Sequence, residues 1–257
     1  MRFKSFIGID YSGADTPVSR LPGLQVYAAR NRSEPERVLT PAAHSDPNIT
    51  NWTRKELTRW LIEMISLDGP VIVGIDHAFS FPMRYFDVHH LGDWDAFLSD
   101  FVAYWPTDQD DIMVNSLREG NQRLGSNDWY RLTETWTQGA KSVFQFDVQG
   151  QVATSSHAGI PWLHHLRHQL GEKVHFWPFD GWRFGSGKSV IAEVYPSIFR
   201  RRYDEAPDNM HERDAYSTAC WLRDMSHNRR LRRYLHPPLT RQQKEIAQKE
   251  GWILGVA

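Results

Sequence analysis

Apolar positions along this chain repeat with two different periods, and the switches between them mark its organisation. Phe6–Asp10 (FIGID) is a short apolar run closed by a carboxylate, the pattern of a strand buried on both faces. Leu24–Ala29 (LQVYAA) and Glu36–Leu39 (ERVL) read as two further strands, separated by Asn-Arg-Ser turn chemistry. A polar loop from Pro41 to Asn51 follows. Thr53 and Glu56 then have capping-box spacing. Behind them Leu57, Trp60, Leu61, Met64 and Ile65 recur at helical intervals until Asp68-Gly69-Pro70 stops the run. Val71–Asp76 (VIVGID) is the most strand-like segment of all. The first third is thus β-β-β-α-β.

From residue 77 to about 170 the helical period dominates. Trp94, Phe97, Leu98, Phe101, Val102 and Trp105 follow an Asp93 cap, and Gly159-Ile160-Pro161 is expected to open a second long helix carrying Trp162, Leu163, Leu166 and Leu170. This stretch is expected to be a mainly helical insertion. Strands at Val174–Pro178 and Val190–Tyr195, a helix from about His211 to Met225 and a helical tail complete the chain. Thr240 and Gln243 form a second capping pattern, and Gly251 is expected to end that last helix before Trp252–Leu254 pack back. There is no repeat of solenoid period and no low-complexity segment.

With 257 residues, one elaborated domain is expected. Eleven tryptophans point to a heavily aromatic core. One cysteine, Cys220, excludes an internal disulfide and fits a reducing compartment. No run has the length of a signal peptide or membrane span, so a cytoplasmic protein is expected, in which Asn48 and Asn51 are chance sequons. The net charge of −1 argues against a generic nucleic-acid coat. Local basic clusters, Arg200–Arg202 and Arg229–Arg230 with Arg232–Arg233, could nevertheless meet phosphates.

The candidate chemistry lies in a duplicated phrase. Ile7-Gly8-Ile9-Asp10 and Val73-Gly74-Ile75-Asp76 each end an apolar strand with an aspartate. As parallel neighbours about 4.8 Å apart, these strands would set two carboxylates side by side at one sheet edge. Like charges so close repel, and a hard divalent cation such as Mg²⁺ or Mn²⁺ removes that cost. Two such ions about 3.5–4 Å apart suit phosphoryl displacement. Glu193 interrupts the apolar run VIAEVY, an expensive position unless paired or ligated. Asp214 falls near the start of a helix whose Ala215, Thr218, Ala219 and Leu222 form a packing face.

The segments GIDYSG, GIDHAFSFP, IAEVYPS, RDAYSTACWL and EGWILGV, in order across nearly the whole chain, resemble those of an uncharacterised family of predicted nucleases with a ribonuclease H-like fold. The resemblance implies an α/β protein with a mixed five-stranded sheet flanked by helices, cutting phosphodiesters of DNA or RNA with Mg²⁺ or Mn²⁺. It implies Asp10, Asp76, Glu193 and Asp214 as the catalytic, metal-binding acids. The chain departs from the family where Arg213 stands before Asp214 in place of the usual His, with His211 nearby. No glutamate of the first helix, Glu56 or Glu63, matches the one that ribonucleases H use.

Ser12, Ser80, Lys188 and Arg200 lie close in sequence to these acids and are candidate substrate-phosphate contacts. Gly185–Ser189 (GSGKS) lacks the spacing of a phosphate loop and is expected to be a hairpin turn. His164 and His168 have zinc-ligand spacing without an evident third ligand. Two other functions share these features: a nucleotide-handling relative of actin-like ATPases and sugar kinases, and a non-catalytic binding domain.

Overall fold

The apolar runs form a sheet whose strand pairing is set by side-chain alternation. The computed structural model describes residues 3–147 and 152–257. Its sheet has six strands, β1 (Ser5–Asp10), β2 (Gln25–Arg30), β3 (Glu36–Arg37), β4 (Val71–Asp76), β5 (Val174–Trp177) and β6 (Ser189–Glu193), in the order β3-β2-β1-β4-β6-β5. The expected count of five is corrected to six, because β5 adds an outer strand beside β6. β1, β2 and β3 form an antiparallel meander, while β4 is parallel to β1 and β6, and β5 is parallel to β6. Since β5 and β6 run the same way, the Gly185–Ser189 segment belongs to a crossover and not to the expected hairpin.

Alternation divides the sheet into two faces. Ile7, Ile9, Val73, Ile75 and Ile191 point into one core, against α1 (Arg54–Leu67) and the insertion. Phe6, Ile72, Val190 and Ala192 point into the other, against α7 (Met210–His227), α8 (Leu231–Leu235) and the segment after α9 (Arg241–Glu250). Trp52, Trp105, Trp177, Trp221 and Trp252 are fully buried, so much of the tryptophan content builds core. Both capping boxes form, Thr53 with Glu56 and Thr240 with Gln243, and Gly251 ends α9.

Between Asp76 and Val174 the described residues form α2 (Met83–Val88), α3 (Trp94–Tyr104), α4 (Val114–Arg118), α5 (Leu132–Trp136) and α6 (Val152–Leu170), and no strand. α6 starts well before the expected Gly159, with Pro161 inside it. Proline lacks the N–H that would bond the carbonyl of His157. The Thr107 hydroxyl donates to that carbonyl instead, at 2.7 Å. Gly159 has a packing reason: a Cβ there would lie 2.5 Å from the His77 ring.

Candidate metal centre

Sheet register builds the site. Gly8 pairs with Gly74 and Asp10 with Asp76, so both aspartates leave the C-terminal ends of adjacent parallel strands on the α7 face. The glycines let α7 approach the sheet closely. A Cβ on Gly8 would fall 2.1 Å from the Ala215 carbonyl, and one on Gly74 would fall 2.8 Å from Thr218 Cγ2. That approach carries Asp214, one residue before Ala215, over the two strand ends. The carboxylates of Asp10, Asp76 and Asp214 offer ligand oxygens that all lie within 4.8 Å of one another. Among the described residues no other group of three His, Cys, Asp or Glu side chains comes so close.

Nitrogen donors hold two of the three acids from the rim. Nδ1 of His211 donates to Asp10 Oδ2 at 2.7 Å, and Arg200 Nη1 donates to both oxygens of Asp214, at 2.9 and 3.1 Å. The Asp76 carboxylate accepts no hydrogen bond from the described residues. Burial raises Asp10 from its ordinary 3.8 to about 6, against the lowering effect of the His211 hydrogen bond. Asp214 is also raised by burial, offset by Arg200. Asp76 is raised well above its ordinary value, first by burial and then by the charges of Asp10, Asp214 and Glu193. His211 in turn is raised, chiefly by its hydrogen bond to Asp10. The pocket thus carries negative charge that the protein itself neutralises only in part, and its donors are all oxygens.

Glu193 does not join this group, which corrects its expected place in the metal shell. It pairs with Ile75, so it emerges on the opposite face of the sheet from Asp76. There Arg131 donates to both its oxygens, Nη2 to Oε1 at 2.6 Å and Nη1 to Oε2 at 2.7 Å. Arg131 also bonds Glu134 at 2.8 Å and the Glu250 carbonyl at 3.2 Å, all within the interior. Burial alone would lower the Arg131 pKa, but Glu193 and Glu134 hold it above its ordinary value, so the pair is ionic. This network ties the insertion and the end of α9 to β6.

The four candidate phosphate contacts separate into two pairs. Arg200 and Ser12 stay at the rim. The Ser12 hydroxyl accepts from Ala14 N at 3.4 Å, and its carbonyl accepts from Arg54 Nη1 at 3.1 Å. Ser80 is fully buried and donates to the Lys249 carbonyl at 2.6 Å, so it anchors α9 and does not face a substrate. Lys188 lies just before β6, about 16 Å of strand away from Glu193, where it pairs with Glu172 at 2.8 Å. His164 and His168 bring their Nε2 atoms within 3.0 Å of each other but gain no third ligand among the described residues.

Two further residues act on these carboxylates. His211, noted above as near Asp214, precedes it by three residues, the spacing that places both on one helix face. Arg131 carries no local signal, standing 62 residues from its partner Glu193. None of the helices among the described residues is long and apolar enough to cross a membrane. Against this geometry, no protein-family model, no curated protein and no solved structure matches the chain.

Proposed function

We propose that this protein is a divalent-metal-dependent nuclease on a ribonuclease H-like core, in which Asp10, Asp76 and Asp214 hold Mg²⁺ or Mn²⁺. The observation that carries the reading is the convergence of three aspartates whose proton affinities are all raised, one of them without any donor among the described residues. An α/β sheet in which an antiparallel meander of three strands precedes parallel strands flanked by helices supports the ribonuclease H-like assignment. So does the position of the acids at the carboxyl ends of two adjacent parallel strands, where α/β sheets bind ligands.

The donor set fits a hard cation, since every ligand is a carboxylate oxygen. When bound, such an ion supplies electrostatic stabilisation to a phosphodiester under attack. Asp76, which accepts no hydrogen bond from the described residues and is partly open to solvent, presents its carboxylate directly. His211 keeps a proton on Nδ1 and so orients Asp10. Arg200 orients Asp214 and has further N–H groups to offer a phosphate at the rim. Glu193, bound to Arg131, secures the strand edge beneath. The substrate implied is a phosphodiester of DNA or RNA.

Calorimetric titration with Mn²⁺, joined to cleavage of a labelled oligonucleotide, tests this reading. The wild type should bind the ion and cut only in its presence, while Asp10→Asn with Asp76→Asn should lose both and remain folded. A wild type that takes up no Mn²⁺, or a double variant that still cuts, overturns it.

A further inference from the structure

The strongest feature outside the carboxylate site is a corner of unpaired positive charge. From Ser226 to Lys244 the chain has six Lys or Arg residues and no Asp or Glu, although its overall charge is −1. Elsewhere arginines are mostly spoken for: Arg20, Arg30, Arg118, Arg123, Arg167 and Arg223 all pair with carboxylates. At the junction of α7 and α8, Arg229, Arg230, Arg232 and Arg233 are exposed, and none forms an ion pair with the described residues. Arg183, from the β5–β6 crossover, and Lys244, from α9, come near His236 together with Arg232 of α8. His236 lies among them, lowered by burial and further by the charges of Arg232, Arg183 and Lys244.

A backbone observation points the same way. α7 ends in a Schellman turn, in which Arg230 N donates to the Met225 carbonyl at 2.8 Å and Arg229 N donates to Ser226 O at 3.1 Å. The residue in the left-handed position, φ +58°, is Arg229, where glycine would sit without strain. The helix dipole accounts for a cation or two at this end. It does not account for six, nor for a charged side chain kept where it costs backbone energy.

We propose that the α7–α8 corner, formed by Arg229, Arg230, Arg232, Arg233, Arg183 and Lys244, is a docking surface for the phosphodiester backbone of a nucleic acid. The choice of nucleic acid among polyanions rests on the nuclease reading above. The aromatic side chains at this corner, Trp182 beneath Lys244 and Tyr234 in α8, are half-buried, so the surface offers mainly its cations to a ligand. Binding is therefore through phosphates, independent of sequence and steeply dependent on salt. From Asp214 to His227, α7 rises about 20 Å, so the corner is a second contact, separate from the carboxylates.

Fluorescence anisotropy of the whole chain with a labelled duplex of about 20 base pairs, in EDTA and between about 50 and 200 mM salt, tests this. The wild type should bind two unrelated sequences equally, and the logarithmic salt slope should fall by about 0.9 for each phosphate contact removed. Arg232→Gln with Arg233→Gln should weaken binding about tenfold at the low-salt end. Arg229→Gly should weaken binding while raising Tm, a combination that a purely structural role would not produce. The proposal is overturned if the wild type does not bind the duplex, or if the corner variants bind with unchanged affinity and slope. It is equally overturned if Arg201→Gln with Arg202→Gln abolishes binding that the corner variants retain. Capture by phosphatidylserine vesicles without any duplex binding would assign the corner to a membrane surface instead. Because docking is read without metal, its failure leaves the carboxylate reading intact, and a failure of Mn²⁺ uptake leaves docking intact.

Discussion

Replacing Asp10 by asparagine should make the metal-free protein more stable at neutral pH, because this site holds charge at the expense of the fold. Asp10 is buried, and its pKa stands at about 6 against an ordinary 3.8. A carboxyl whose folded pKa is raised keeps its proton more tightly in the folded chain. Between about pH 4 and pH 6 the unfolded chain has released that proton and the folded chain has not, so stability falls as pH rises through this window. The full difference corresponds to about 3 kcal/mol. Asparagine carries no charge to desolvate and keeps an oxygen to accept from His211. The loss of the charge-assisted His211 bond offsets part of the gain, and that bond is screened because His211 is exposed.

Urea unfolding of wild type and Asp10→Asn in EDTA, at about pH 4.5 and about pH 7.5, reads the effect. The variant should lead at the higher pH by about 1–3 kcal/mol, and the lead should shrink at the lower pH, where the wild-type carboxyl is protonated. Saturating Mg²⁺ should then remove most or all of the lead. A ligand at a hundredfold excess over Kd adds about 2.7 kcal/mol to the wild type and little to the variant. A variant no more stable at neutral pH, with the same pH slope as the wild type, refutes the reasoning.

Three further outcomes follow from the same geometry. Glu193→Gln leaves Arg131 charged and incompletely paired in the interior, so stability measured by denaturation should drop by roughly 3–5 kcal/mol. Mn²⁺ stoichiometry should not change, and a lost ion would return Glu193 to the metal shell. Gly8→Ala forces a Cβ against the Ala215 carbonyl and should cost roughly 1–3 kcal/mol while weakening Mn²⁺ binding, because Asp214 moves with α7. His211→Ala removes the hydrogen bond that restrains the Asp10 pKa, so the pH midpoint of Mn²⁺ binding should move upward, and an unmoved midpoint would separate His211 from the site.

Local features were legible in proportion to how local their physics is. The capping box at Thr53 and Glu56 is satisfied within four residues, and the structure has it as read. Gly159 and Pro161 imply a helix start, but α6 begins earlier, at Val152. Thr107 and His77, from distant parts of the chain, make both residues acceptable inside the helix. The outermost strand, β5, is short and pairs only with β6, so its membership in the sheet depends on a neighbour that arrives later in the chain.

The Asp10–Asp76 pair was legible in the chain alone, since two copies of one phrase put their last residues side by side once laid parallel and in register. So was a carboxylate on the helix that glycines 8 and 74 admit. Which face each remaining charge takes is settled by packing across the whole sheet. Glu193 stands opposite Ile75, and a slip of one residue would have turned it toward the aspartates. That register follows from how two cores fill on either side of the sheet, a property of no single segment. Once it was set, a buried glutamate needed a cation on its own face, and the fold supplied Arg131 from the insertion.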